Sequence, residues 1–507
     1  MMTSKSTRLP APEQLLLVPL NEIELAELIE KHIEFVDDKG RAVHLPSPFV
    51  KHYLKRDDGA LPIATSIAQL PIVLDDGTIP TGRGLNRKYG IVFRVPEELD
   101  ALMPSRSDCT SNAVAGAMQF LTDEWLSDVA ADYKGKCVII ACALTVLERA
   151  LLPERPAFFI TSGGRGNGKT STIHMISMAA VGLPAAAAAW SSDPEERRKA
   201  LFSYLEIGLA MLAWDNIPRG TTISCPSIEK ALTTEFYTDR VLGTPGHKTV
   251  ATYTVMIFTG NNIGPRGDLC SRTLGVRLDT NRIDPENRKF KHPDPIAWIN
   301  TNRGAILQAF YTILLGNPRR TQKKSGREPE QTRFKPWWNI VGSAVENAAA
   351  QHKRAIEEMT HHFVAEPNQT CPPQKISFKT MFLEGETDEE ESSSLAVVLD
   401  TLITRWPVDS KERRSSVFQA SDVAGHVRGT VDGGLAFKAA LEMASGKPIP
   451  AVSAPTINWR LQAVKDRPDT LHGKIYVLRY IKPDRHGRNG GFRVVILPSD
   501  DPDENSS

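Results

Sequence analysis

The chain has 507 residues, too many for one ordinary core, and domains of roughly 100–200 residues predict three or four units. Its 61 Lys and Arg nearly balance its 60 Asp and Glu, so attraction to a polyanion has to come from local patches and not from the overall field. The N-terminus MMTSKSTRLPAPEQ lacks an apolar signal core, and no apolar run reaches the roughly 18 residues of a spanning helix, which predicts no membrane span and a cytoplasmic location. Cys109, Cys137, Cys142, Cys225, Cys270 and Cys371 show no CxxC pair and no His at finger spacing, so they read as reduced thiols and not as a zinc site.

Residues 1–110 mix short apolar runs with turn signals such as Asp75-Asp76-Gly77, and Gly90–Val95 reads as a strand; together they predict a small α+β unit. From Asn112 to Leu152 apolar residues recur at helical spacing (Val114, Met118, Leu121, Trp125, then Val138, Ile139, Leu144, Leu147), which predicts two helices within 111–155. Pro153 and Pro156 end that stretch. Phe158–Thr161 must then be a buried strand, because a glycine loop begins at once, and Leu209–Trp214 and Thr254–Thr259 are further buried strands. Strands alternating with helical stretches predict a three-layer α/β core over 156–317.

Residues 318–394 open on a polar connection rich in Arg and Lys, which reads either as a solvated linker or as a DNA contact. A helical segment from Trp337 follows, then an acidic, Ser-rich boundary, Glu384–Ser394. Helices are predicted over Leu395–Trp406, Ala420–Val427, Gly434–Met443 and, after the Ser453 cap, Thr456–Lys465. Two strands, Ile475–Tyr480 and Gly491–Ile496, flank a basic turn, so 395–498 reads as a winged-helix-like domain; the tail 499–507 is expected to be disordered.

Gly163-Gly164-Arg165-Gly166-Asn167-Gly168-Lys169-Thr170 fits G-x-x-x-x-G-K-[ST] at every fixed position and lies between a predicted strand and an apolar helix. Such a loop, with Ser171 after it, binds ATP. Its backbone N–H groups and the helix N-terminus hold phosphate oxygens, Lys169 bridges the outer phosphates, and Thr170 supplies a Mg²⁺ ligand. Asp215, ending the apolar run Leu212-Ala213-Trp214, is the expected second Mg²⁺ ligand. Asn216 stands where many ATPases carry a second acid, so the base that activates water stays open among Asp215, Glu229 and Glu235. Asn261, in Thr259-Gly260-Asn261-Asn262 at the end of the third apolar run, can align water against the γ-phosphate.

In order and spacing these three elements resemble motifs A, B and C of the superfamily 3 helicases, over roughly Pro156 to Asp279. The likeness implies an AAA+-like P-loop NTPase core, a catalytic set of Lys169, Asp215, Asn261 and Arg272, and a homo-oligomeric ring, taken as a hexamer. Arg272 occupies the place of that family's arginine finger, with Arg277 as the alternative. Asp239–Val250 resembles the hairpin that carries DNA-gripping residues into the channel, here His247 and Lys248. The upstream run Leu70–Asn86 is similar to the region before the motor in phage- and plasmid-type primase-helicases, although no primase cluster is present.

In the last domain Asn458, Arg460, Gln462 and Lys465 fall on the recognition helix, while Lys474, Arg479, Lys482, Arg485, His486 and Arg488 decorate the wing, where they can meet phosphates and base edges. The function so implied is an ATP-dependent DNA helicase or translocase in replication of a phage, plasmid or integrated element. Two alternatives stand beside it: an ATPase that loads or remodels proteins on DNA, and an ATP-regulated initiator that does not unwind.

Overall fold

The computed structural model describes residues 20–55, 64–74, 76–80, 83–162, 166–240, 246–278, 288–320, 333–360, 373–409, 411–429, 431–445, 447–471, 474–483 and 490–497. Gly163, Gly164, Arg165, Asp75, Val241–Pro245, most of the basic connection after Arg320, Cys371, Arg485, His486, Arg488 and the tail lie outside them. Two compact units are present. One runs through Phe378; the other begins at Lys379 and also groups Thr222–Ser224 and Pro265–Ser271.

The first unit is built on a five-stranded parallel sheet. Its strands are β1 (Ala157–Ser162), β2 (Ala186–Ala189), β3 (Met211–Ile217), β4 (Val255–Asn261) and β5 (Thr273–Leu278), in the spatial order β5-β1-β4-β3-β2. β1 and β4 read as unbroken apolar runs because both of their faces are covered, as in parallel sheets generally. Helices α1 (Ser111–Phe120) and α2 (Tyr133–Glu148) are joined through a π-helical turn, Leu121–Trp125. Asp132 caps α2, its carboxylate accepting from Gly135 N, and α2 is buried along nearly its whole length. It packs against β4, β5 and the helix that follows the glycine loop, α3 (Lys169–Ala180). The α/β class is thus present, with helices flanking a parallel sheet.

Other parts of this unit are α4 (Pro194–Ile207), α5 (Pro226–Leu232), an antiparallel pair Phe236–Arg240 with His247–Ala251, α6 (Pro295–Leu315) and α7 (Ser343–Thr360). Upstream, Ser66–Ala68 pairs parallel with Ile91–Arg94, which pairs antiparallel with Arg83–Asn86. The Pro71–Leu74 run is pinned to the helices around the motor: Glu148 of α2 accepts from Val73 N (3.0 Å), and Tyr311 of α6 donates to Pro71 O (2.7 Å).

In the second unit α8 (Phe378–Arg405) runs straight through Glu384–Ser394, so the acidic stretch is helical and does not interrupt the chain. α9 (Ala420–Gly429), α10 (Val431–Ser445) and α11 (Ala454–Val464) follow. Ser453 caps α11 by accepting from Thr456 N, and Pro455 sits in its first turn. The sheet has five strands and not only the two of a hairpin. They are β6 (Val408–Asp409), β7 (Arg414–Ser415), β8 (Pro468–Leu471), β9 (Lys474–Ile481) and β10 (Gly491–Ile496), ordered β6-β7-β10-β9-β8. Val423, Leu441, Ile457, Leu461, Leu478 and Phe492 form its core. Among the described residues Cys109, Cys137, Cys142, Cys225 and Cys270 are not in disulfides, and no helix is long and apolar enough to cross a membrane.

Candidate nucleotide site

The strand order decides which residues meet. β4 lies beside β1, and β3 lies on the other side of β4, so the carboxyl ends of three strands that are distant in sequence form one edge. Open α/β sheets bind ligands outside that edge. Ser162 ends β1 and pairs in register with Asn261, the end of β4.

Lys169 opens α3 directly below them. Its Nζ donates to Ser162 Oγ (2.7 Å) and to Asn261 Oδ1 (2.7 Å), while Ser162 Oγ lies 3.2 Å from Asn261 Oδ1. Partial burial holds the Lys169 pKa below its ordinary value, and the nearby Asp215 carboxylate opposes that only in part. Gly166 (φ 75°) and Gly168 (φ 81°) adopt left-handed backbone that side chains resist, so the loop turns into α3 at glycines. Asn167 is buried; Thr170 and Ser171, on the first turn of α3, are exposed. The arrangement suits a polyphosphate: glycine backbone, a helix N-terminus and an ammonium converge where strand-end hydroxyl and amide groups already gather.

Asp215 sits on β3 opposite Ala189 of β2. Between Trp214 and Ile217 the ladder to β4 slips by one residue, and Asn216 takes φ 55°. This is a bulge, which re-aims side chains at the end of a strand. Here the Asp215 carboxylate accepts from Asn216 N (2.7 Å). Beyond β4 the chain turns back tightly: Asn262 N donates to Ser162 O (3.0 Å) and Ile263 N to Thr161 Oγ1 (3.2 Å).

Two of the three acids considered as the base lie elsewhere. Glu235 O accepts from Thr252 N, and its carboxylate acts on Tyr253 and Arg155, residues that precede β4 and β1. Glu229 Oε1 accepts from Cys225 N (3.2 Å), and its carbonyl accepts from Arg272 (2.6 Å), which immediately precedes β5. Both stand toward the strands' entry edge, where Arg155 N donates to Leu232 O just before β1. Asp215 alone of the three is at the carboxyl edge.

Arg272 is at the same entry edge and is 8 % exposed, turned into its own chain against α5. It therefore does not reach the site of its own chain. Arg277 is exposed on β5, paired in register with Thr161. On the hairpin, Lys248 Nζ is 2.6 Å from Glu206 Oε1 of α4, and His247 is exposed. Asp239, paired with Lys248, is salt-bridged to Arg198, whose guanidinium is held charged by Glu195 and Asp239. In the second unit Arg460 donates to Pro448 O (2.7 Å), and the Lys465 ammonium lies over the Tyr480 ring, 5.8 Å from its centroid.

Sequence reading ended this strand at Thr161 and missed Ser162, which the structure makes its last residue and a partner of Lys169. It also missed Trp190, which follows β2 and packs edge-on against Trp214, with Arg197 over its ring at 4.7 Å. No protein-family model matches the chain, and no curated protein does. Among solved structures, the apo A form of the C-terminal region of NrS-1 aligns over 90 % of this chain and 92 % of its own, at 11 % identity and a TM-score of 0.31. A likeness that loose carries no functional argument.

Proposed function

We propose that the chain is an ATP-dependent DNA helicase or translocase serving replication of a phage, plasmid or integrated element, and that it works as a homo-oligomeric ring. The observation that carries this reading is the Lys169 ammonium seated between Ser162 and Asn261, with Asp215 on the next strand. Three sequence elements with the order of a helicase motor thereby meet at one edge. Lys169, partly desolvated and donating to Ser162 and Asn261, would bridge the β- and γ-phosphates of ATP.

A divalent ion would arrive with the phosphates of the nucleotide, as Mg²⁺ commonly does. Thr170 and Asp215 would then complete the shell of Mg²⁺, which neutralises charge on the transferred group. Asn261 orients the attacking water, and Asp215 is the one of the three acids at the same edge of the sheet. Arg272 acts, in this reading, on a neighbouring subunit, and to do so it has to leave the Glu229 carbonyl. Lys248 and His247 meet the DNA backbone in the channel once phosphate displaces Glu206; Arg460 and Lys465 provide a separate DNA contact. Paired assays of DNA-stimulated ATP hydrolysis and strand separation, on the wild type and on Lys169→Ala, test the whole reading. Hydrolysis without strand separation would move the chain to the remodelling ATPases.

A further inference from the structure

α11 buries Ile457, Leu461 and Val464, one stripe at helical spacing, and turns Trp459 outward. At 74 % exposure no described large hydrophobic side chain is more open to water. A single exposed apolar residue is ordinary, so its setting decides what it means. From Ala454 to Lys465 the chain has no carboxylate, and neither has 474–483 in and just beyond β9. These two stretches supply Arg460, Lys465, Lys474, Arg479 and Lys482, with the amides of Asn458 and Gln462. The end of α11 is tied to β9 by Asp466 N donating to Leu478 O (2.8 Å), and the Asp466 carboxylate is taken up by Arg479 (2.7 Å). Tyr480, 37 % exposed, carries the Lys465 ammonium over its ring.

We propose that α11 and the adjoining β9 bind an unpaired nucleic-acid strand, with a base stacked on Trp459 and phosphates on the cations that these two stretches supply. The charge selects a polyanion, since an apolar protein partner would leave those cations desolvated and unmatched. The indole selects an unpaired strand: inside a duplex each base face is covered by its neighbours, and one N–H donor reads base edges poorly. The C-terminal unit thereby becomes a sequence-tolerant strand holder and not a reader of a duplex site. The proposal rests on the nucleic-acid part of the function above and not on its ATP chemistry.

The test uses the full chain without nucleotide, so that a failure of the ATPase reading leaves it intact. Fluorescence anisotropy compares a labelled oligothymidylate with a blunt duplex of equal length for the wild type, Trp459→Phe and Trp459→Ala. Stacking worth about 1–3 kcal/mol per base predicts that Trp459→Ala weakens oligothymidylate binding about 5- to 150-fold and that Trp459→Phe restores much of it. Duplex binding should change by no more than about twofold, and the salt dependence should keep its slope because stacking releases no counterions. An unchanged melting temperature excludes unfolding. Equal losses on both substrates, a loss on duplex alone, or no loss on the single strand overturns the proposal.

Discussion

The Lys169 ammonium sits at the carboxyl edge of the sheet on Ser162 Oγ and Asn261 Oδ1, where the outer phosphates of ATP would meet it, and this makes Lys169 the residue on which hydrolysis should turn. Lys169→Ala is expected to abolish ATP turnover while leaving circular dichroism unchanged, because the side chain supports no core; near-normal turnover would sink the ATPase reading. Its depressed pKa adds a pH signature. Bound polyphosphate raises that pKa, so nucleotide affinity is full while the lysine is protonated in the free chain. It should then fall as pH rises through the free-chain value, which lies below lysine's ordinary 10.5, and level off above the bound-state value. Nucleotide titrations across neutral to alkaline pH check this, and a flat profile contradicts it. Asp215→Asn should still bind nucleotide yet respond weakly to Mg²⁺ in turnover assays.

Two elements hold that site in shape, and each depends on one position. Gly260 lies where β4 passes the β3 bulge; a Cβ there would come within 2.7 Å of Ile217 O and of Ile263 Cγ2. Gly260→Ala should therefore cost about 1–3 kcal/mol, read as a lowered denaturation midpoint, because backbone cannot yield as a flexible side chain can. At the far end of α3, Arg303 of α6 donates to Ala179 O and Ala180 O (both 3.3 Å), a cation at a helix C-terminus. Burial lowers its pKa to about 10, still charged at neutral pH. Replacing it in Arg303→Met leaves those carbonyls without their donor and should cost about 1.5–3 kcal/mol by chemical denaturation.

Coupling belongs to the whole molecule. Lys248 and Glu206 are both partly exposed, so their ion pair is weak and phosphate can displace it. Lys248→Ala should lose the DNA-stimulated share of hydrolysis, with a salt slope shallower by about 0.7 for each phosphate contact removed. Glu206→Gln should act oppositely, tightening DNA binding at low salt. If both variants respond to DNA as the wild type does, the hairpin has no part in gripping it. Arg272 gives the test of a ring: Arg272→Ala mixed with Lys169→Ala should regain part of the turnover that each lacks alone, if Arg272 serves a neighbour. Its contact with Glu229 O makes a melting curve the necessary companion measurement.

The strand–loop–helix around Lys169 was legible in the sequence, because an apolar run that meets a glycine loop and then a helix-spaced apolar face leaves one local arrangement. Asn261 was legible as a strand end for the same reason, whereas β3 runs on past Asp215 to Ile217. The Ala186–Ala189 strand was not, since alanine carries no strand signal and only pairing with β3 makes it one. Nor was the helical state of Glu384–Ser394, whose polarity reads as an interruption although the backbone continues through it. What tertiary structure alone decided is the order of the strands. Local periodicity says that a segment is a strand, but neighbours are chosen by packing between residues far apart in sequence. That choice put Asn261 next to Ser162, Asp215 one strand further along, and Glu229, Glu235 and Arg272 at the opposite edge.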